Sequence, residues 1–293
     1  MRAKASDLLL TGTAPAIWGS TYFVTTEFLP TFSPMTVALL RALPAGLLLL
    51  LIVRQLPTGI WWARVLVLGG LNFSIFLSML FISAYRLPGG VAATVSSVQP
   101  LLVVFLAYVV LASPMRWMSI VAALVGAAGV ALMVLTAKAE LDPIGVLAGL
   151  AAAGSMALGT VLSRKWQPPV SLLTFTAWQL TAGGILLVPL VLVLEPAMPI
   201  PTASNLLALA WLGLVGMALT YFFWLRGVTR LDTSVVSPLL LLSPVTAVLL
   251  GWLLLDQTLD AMQVTGGILI VGSIWLAQRA NGTRAFSSSA SKS

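Results

Sequence analysis

Residues 34–53 read PMTVALLRALPAGLLLLLIV, and their only charged member is Arg41. An α-helix rises about 1.5 Å per residue, so a helix of about 20 apolar residues crosses the roughly 30 Å hydrocarbon core of a bilayer. Pro34 opens the stretch, where a missing backbone N–H does least harm to a helix. The stretch therefore predicts a transmembrane helix.

The composition of the whole chain agrees with this prediction. Of its 293 residues, 59% are hydrophobic and only 8% are charged, whereas soluble proteins carry about 25% charged residues. A chain with so few charges cannot cover a water-facing surface and needs lipid around it. Its formal charge of +7 is explained by basic cytoplasmic loops, so we expect no nucleic-acid partner.

Apolar stretches of similar length recur along the chain and predict ten spans in an all-α integral membrane protein. The predicted spans are 7–28, 34–53, 65–85, 89–111, 117–136, 143–163, 171–194, 205–225, 232–255 and 261–278. Most of the 15 Lys and Arg residues fall in the segments on the same side as the N-terminus, whereas Arg86 and Lys138 fall on the other side. Because basic residues collect in the cytoplasm, both termini are predicted to be cytoplasmic. We expect a multi-pass protein of a bacterial inner membrane.

The chain divides into two weakly similar halves, residues 1–138 and residues 139–280, followed by a polar tail, 281–293, that we expect to be disordered. Each half contains five predicted spans. An odd number forces the second half to enter the membrane from the opposite side, so the halves are predicted to be inverted repeats. Inverted repeats allow a transporter to expose one central site to each side of the membrane in turn.

The halves also match at individual positions. A shift of 138 residues places Arg41 on Gln179 and Gly46 on Gly184, and a shift of 144 places Pro100 on Pro244.

Short motifs in four of the predicted spans resemble those of one transporter family. They are Trp18-Gly19-Ser20-Thr21-Tyr22, Arg41, Gln99-Pro100 and Ser243-Pro244. Together they resemble the EamA type of the drug/metabolite transporter (DMT) superfamily, and within it the YddG-like amino acid exporters. The resemblance implies two inverted five-helix repeats around a central cavity and efflux of metabolites from the cytoplasm.

Pro100 and Pro244 lie near the midpoints of predicted spans four and nine. Each removes an intrahelical hydrogen bond, and paired helix breaks at mid-membrane indicate the substrate site of a transporter. We expect both to act as hinges; the alternative is an ordinary packed kink, which membrane helices tolerate.

Polar side chains accompany both prolines. Gln99 and Ser243 precede them, and Ser96 lies about one turn before Pro100. A buried amide in lipid needs a hydrogen-bond partner, so Gln99 either binds substrate or joins two helices.

Further substrate-binding candidates lie on spans one and three. Trp18 and Tyr22 are four residues apart and share a helix face, and Ser78 and Tyr85 form a similar stripe. Trp18 is too deep for an interfacial belt, and its ring can hold an apolar or cationic group. The alternative is helix packing, and for Tyr85 an interfacial position.

Arg41 is the charge that lies well inside a span, about 10 Å from the outer end of its helix. We expect a structural role for it and for Gln179, with Arg41 bonded to free carbonyls or extended toward the interface. Recognition of a substrate carboxylate is the alternative.

The residue types that are missing narrow the function. The chain has no Cys and no His, and no acidic residue lies near mid-membrane, so we expect neither catalysis, nor a metal, nor a cofactor. Phosphorylated substrates need more than one cavity cation. We therefore expect a monomer that exports neutral or zwitterionic amino acids, aromatic ones included, down their gradient. The alternatives are a proton-coupled exporter of another metabolite or drug class and a non-catalytic membrane scaffold.

Overall fold

The computed structural model describes residues 5–96, 98–112, 117–135, 142–224, 239, 242–256 and 260–282. Within these ranges the chain is helical apart from short connections and contains no strand, which confirms the all-α class. The helices of these ranges are α1 (Ala5–Phe28), α2 (Pro34–Val53), α3 (Trp61–Arg86), α4 (Gly89–Ser96), α5 (Gln99–Leu111), α6 (Trp117–Leu135), α7 (Pro143–Trp166), α8 (Leu172–Leu194), α9 (Ala203–Trp224), α10 (Leu242–Leu254) and α11 (Ala261–Gly282).

Five helices of the described ranges are long and apolar enough to cross a membrane, namely α2, α3, α7, α8 and α9. Each overlaps a predicted span, whereas the predicted span 89–111 is divided into α4 and α5. The predicted span 232–255 is described only at residue 239 and from residue 242 onward. Residues 283–293 of the predicted tail lie outside the described residues. The total of ten spans therefore stays a prediction.

Contacts between helix ends define one face of the molecule. The hydroxyl of Tyr85 donates to the carbonyl of Leu29 at 2.6 Å, which joins the end of α3 to the end of α1. The amide of Asn205, in the first turn of α9, donates to the carbonyl of Phe28 at 2.6 Å. The ends of α1 and α3 and the start of α9 therefore lie together.

The contacts of two carboxylates show which other helix ends lie on this face. Glu195, after α8, accepts hydrogen bonds at 2.7 Å from the backbone N–H groups of Met35 and Thr36 and so caps α2. Asp142 caps α7 and pairs with Arg86 at 2.5 Å. This hydrogen bond from Arg86, supported by two backbone N–H groups of α7, lowers the pKa of the Asp142 carboxyl from its ordinary value.

The opposite face is defined in the same way. The indole of Trp178, near the start of α8, donates to the carbonyl of Gln55 just after α2 at 2.6 Å. The guanidinium of Arg64, near the start of α3, lies 5.6 Å from the ring centroid of Trp166 at the end of α7. Helices α1, α3 and α8 therefore run in one direction, and α2, α7 and α9 run in the other.

The core lies where helices of the two sequence halves meet, and glycines allow the closest approaches. Gly46 of α2 lies against the backbone of Leu180 and Thr181 in α8, and Gly184 of α8 lies against Leu43 in α2. The two glycines are the pair related by the shift of 138 residues. Helix α6 packs along α11 and α1 packs on α10, so the described contacts repeatedly join one half to the other.

Candidate substrate site

An aromatic cluster joins α1, α3 and α9 in the interior. The indole N–H of Trp18 donates to the hydroxyl of Thr220 at 2.9 Å. The Trp18 ring lies 5.8 Å from the ring of Tyr221 and 5.6 Å from that of Trp224, centroid to centroid. Phe73 lies 6.3 Å from Tyr221. These are ordinary distances for tilted aromatic pairs, and they make a wall that can contact an apolar side chain.

Arg41 lies beside this wall and is only 4% exposed. Its Nη2 donates to the carbonyl of Gly216 in α9 at 3.4 Å, which is a long bond. Its Cζ lies 5.8 Å from the centroid of the Phe81 ring. The hydroxyls of Tyr22 and Tyr221 are near enough to interact electrostatically with the guanidinium. A cation is thus held among neutral groups.

Three predicted site residues with hydroxyl groups border this region. Tyr22 and Ser78 are buried, and Ser96 ends α4 with a buried Oγ that has no hydrogen-bond partner among the described residues. The Oγ of Ser78 is buried and has no hydrogen-bond partner among the described residues. A ligand or a water molecule is the natural partner for such a group.

The helix break predicted at Pro100 has a different form from the one expected. The chain does not continue as one kinked helix: α4 ends at Ser96, and α5 starts at Gln99 with Pro100 in its first turn. A proline there leaves no intrahelical bond unmade, because the first N–H groups of a helix have no acceptor in it. Gln99 is half-buried at this break. Whether the break acts as a hinge stays a prediction.

The corresponding proline in the second half, Pro244, lies in α10, which is described from Leu242 onward. Residues 240 and 241 lie outside the described residues, so a helix break at Pro244 stays a prediction. The backbone of Ser243 packs directly against Gly19 of α1, where an added methyl group would also lie 2.7 Å from Cβ of Thr246. Ser243 is therefore next to the helix that carries Trp18.

Tyr85 differs from the other predicted substrate-binding residues. Its hydroxyl is used in the bond to Leu29 at the end of α3, so a structural tie is the role that its contacts favour.

Gln179 bonds to a residue that the sequence patterns did not single out. Its Oε1 accepts from Nδ2 of Asn72 at 2.6 Å. Asn72 lies in a π-helical segment of α3, Gly70–Ile75, and the hydroxyl of Ser155 donates to the carbonyl of Leu71 in that segment at 2.7 Å. The sequence did contain a signal for Asn72, because an amide in the middle of an apolar span needs a hydrogen-bond partner in lipid.

The π segment of α3 has a counterpart in α9, Trp211–Leu219. Arg41 of the first half bonds to Gly216 in the α9 segment, and Gln179 of the second half bonds to Asn72 in the α3 segment. The two residues matched by the sequence repeat therefore reach the π segment of the opposite half. Such segments are frequent at functional sites. Thr220, Tyr221, Phe73 and Phe81 were also not found by pattern, because nothing local in the sequence distinguishes them from packing residues.

No group of three or more Asp, Glu, His or Cys side chains that could hold a metal occurs in the described ranges.

The fold and the site define a class: a multi-pass α-helical membrane protein whose interior groups come from both halves of the chain. The family model of the EamA-like transporter family matches residues 6–135 and again residues 143–278. The chain belongs to this family, which confirms the resemblance to the drug/metabolite transporter superfamily, and it is a transporter of the EamA type.

Several known proteins are similar to the chain over most of its length. Protein PecM of Dickeya dadantii is 43% identical over 90% of this chain and 90% of its own. The uncharacterized inner membrane transporter YedA of Escherichia coli is 26% identical over 84% of this chain and 82% of its own. A solved crystal structure covers 94% of this chain and 98% of its own with a TM-score of 0.65; at 23% identity it bears on the fold alone.

Proposed function

We propose that the chain exports small neutral or zwitterionic metabolites, most specifically amino acids and aromatic ones among them, by alternating access at a mid-membrane site. The observation that supports the proposal is the composition of the candidate site. An aromatic wall of Trp18, Tyr221 and Trp224 lies beside the buried cation of Arg41. An amino acid with an apolar side chain presents the complementary chemistry: an apolar body and a carboxylate.

The substrate site in this proposal includes Trp18, Tyr22, Ser78, Ser96, Gln99 and Ser243, with helix breaks at Pro100 and Pro244. The supporting geometry is the position of α4 and α10. Pro100 lies in the first turn of α5, directly after the end of α4, and α10, which contains Pro244, packs on the helix that carries Trp18. A change in the angle between the segments at either break would alter access to the aromatic wall.

Inverted repeats are part of the proposal. Three pairs of corresponding helices support them, because α1 runs opposite to α7, α2 to α8 and α3 to α9. The reciprocal contacts of Arg41 and Gln179 with the two π segments support the same relation. We propose the division into a first repeat at 1–138 and a second at 139–280 on this basis.

The orientation in this proposal follows the basic residues. On the face that holds Gln55 and Trp166 lie Arg54, Arg64, Arg164 and Lys165, whereas Arg86 lies on the other face. The positive-inside rule makes the first face cytoplasmic, which places both termini of a ten-span chain in the cytoplasm. The proposed location is a bacterial inner membrane, in which the chain acts as a monomer.

Transport is expected to run down the amino acid gradient without a proton. The described site contains a guanidinium, hydroxyls, amides and aromatic rings but no carboxylate or imidazole, and a guanidinium stays protonated at any physiological pH. Proteoliposomes loaded with a labelled neutral amino acid should release it at the same rate with and without a protonophore. Accumulation driven by an imposed pH gradient alone, and abolished by the protonophore, would contradict this expectation, and the exposed Glu27 would be the first residue to replace.

A further inference from the structure

Arg41 has more hydrogen-bond donors than the protein gives it acceptors. Its Nη2 makes the long bond to Gly216, whereas Nε and Nη1 are buried and have no hydrogen-bond partner among the described residues. Nε carries one hydrogen and Nη1 two, so three N–H groups lack an acceptor. A buried donor without an acceptor costs free energy, most of all when the group is charged.

The described residues also supply no negative charge to Arg41. Glu195 is engaged as the cap of α2, Asp142 pairs with Arg86, and Glu27 is exposed at the end of α1. At 4% exposure the guanidinium does not extend to the interface, so the alternative of an arginine that reaches water is not what this structure shows. The neighbours that do approach it are phenolic hydroxyls and an aromatic ring.

The repeat-related residue provides an internal comparison. Gln179 accepts a short bond from Asn72 and donates to the carbonyl of Phe175 at 3.4 Å. A neutral amide at this position is thus paired within the protein, whereas two of the three guanidinium nitrogens at the equivalent position of the other half have no partner among the described residues. A neutral amide is enough to join helices at this position, as Gln179 does. The cation at position 41 therefore indicates a role beyond joining helices.

We propose that Arg41 is the group that recognises the carboxylate of the transported substrate, and that the substrate must carry a single carboxylate next to an apolar body. The proposal rests on the proposed function and deepens it. A charge-assisted bond from Nη1 to a carboxylate supplies an acceptor to one of the two unpaired nitrogens and brings the missing negative charge to the guanidinium. Trp18, Tyr221 and Phe73, which belong to the aromatic wall, then face the apolar body.

The number of cations sets the charge of the substrate. The other Lys and Arg residues in the described ranges lie at helix ends, as Arg54, Arg64 and Arg86 do, so the interior offers one positive charge. One guanidinium matches one carboxylate and leaves a phosphate ester undercompensated. Amines that lack a carboxylate have no partner for Arg41 and leave it unpaired.

The test compares four ligands that share a phenyl ring: phenylalanine, 3-phenylpropionate, phenylalaninamide and phenethylamine. Their binding is measured as the rise in melting temperature of the purified protein and as competition with labelled phenylalanine in proteoliposomes. Phenylalanine and 3-phenylpropionate should bind the wild type, and phenylalaninamide and phenethylamine should bind at least about tenfold more weakly, since each lacks the charge-assisted bonds.

The variants then assign this preference to Arg41. Arg41→Gln should remove the discrimination between 3-phenylpropionate and phenylalaninamide, and Arg41→Lys, which keeps the charge, should retain part of it. Arg164→Gln removes an exposed arginine and should bind all four ligands as the wild type does. If Arg41→Gln does not fold, the ligand series on the wild type and on Arg41→Lys still tests whether Arg41 recognises the carboxylate.

The outcomes separate this inference from the proposed function. If 3-phenylpropionate stabilises the wild type but not Arg41→Gln while no amino acid is transported, the proposed function fails and carboxylate recognition stands. The inference is overturned if no carboxylate binds the wild type more tightly than its matching amide or amine. It is also overturned if a folded Arg41→Gln variant keeps the wild-type preference.

Discussion

Replacing Gly46 with leucine is expected to remove most of the folded protein. A Cβ atom at this position would lie 2.5 Å from the backbone nitrogen of Thr181 and 2.8 Å from the backbone carbon of Leu180. Neither atom can move without displacing α8, because both belong to a helix backbone. Overpacking of this kind costs about 3 kcal/mol or more, which is a large share of the stability of an average domain.

The measurement is the yield of monodisperse protein in mild detergent together with its melting temperature. Gly184→Leu should have the same effect, because its Cβ would lie 2.7 Å from Cα and Cβ of Leu43. The control is Gly154→Ala in α7, where an added methyl group meets nothing within 4 Å. That change should be neutral or slightly stabilising, as a helical glycine costs roughly 0.5–1 kcal/mol relative to alanine. Normal yields of both leucine variants would show that α2 and α8 do not cross at these glycines.

Trp18→Ala is expected to lower transport by roughly thirtyfold, the effect of losing about 2 kcal/mol from a central aromatic contact. The change removes the bond to Thr220 and the ring contacts with Tyr221 and Trp224. Gln99→Ala should also lower transport more than it lowers the yield of folded protein, since the amide lies at the break between α4 and α5. Initial rates of amino acid uptake into proteoliposomes, divided by the amount of folded protein, give the comparison.

Two further variants identify which part of Trp18 matters. Trp18→Phe keeps an aromatic ring and loses the N–H, and Thr220→Val removes the acceptor. If the hydrogen bond is the important contact, both should lose a similar fraction of the rate. Trp62→Ala, which removes a tryptophan that is 52% exposed on α3, is the matched control. The assignment of Trp18 and Gln99 to the site is wrong if both alanine variants fold and transport at the wild-type rate.

The helices could be predicted from the sequence because lipid imposes a simple rule on them. Residues 34–53 formed the predicted helix, with Pro34 at its start and Arg54 just after its end. The apolar length, the prolines at the ends and the basic flanks are all local signals. Arg41 and Gln179, which the shift of 138 residues places on each other, both contact the π segment of the opposite half.

The contact partners of the candidate site residues could not be predicted in the same way. Thr220 is 202 positions from Trp18 in the sequence, and no periodic pattern connects them. The π segment around Asn72 forms hydrogen bonds with Ser155 and Gln179 from other helices, and these partners lie far away in the sequence. The division at Ser96 and Gln99 was expected as a kink, because a proline in an apolar run gives the place of a break but not its extent.

Counterflow in proteoliposomes tests the proposed transport by alternating access most directly. Vesicles that contain the purified protein are loaded with a high concentration of an unlabelled neutral amino acid and diluted into a trace of the labelled one. A single site that opens to each side in turn predicts a transient accumulation of label above its equilibrium level, saturable by external substrate and absent from vesicles without protein. Uptake that rises only to equilibrium, or that is the same in loaded and unloaded vesicles, would contradict alternating access at one site.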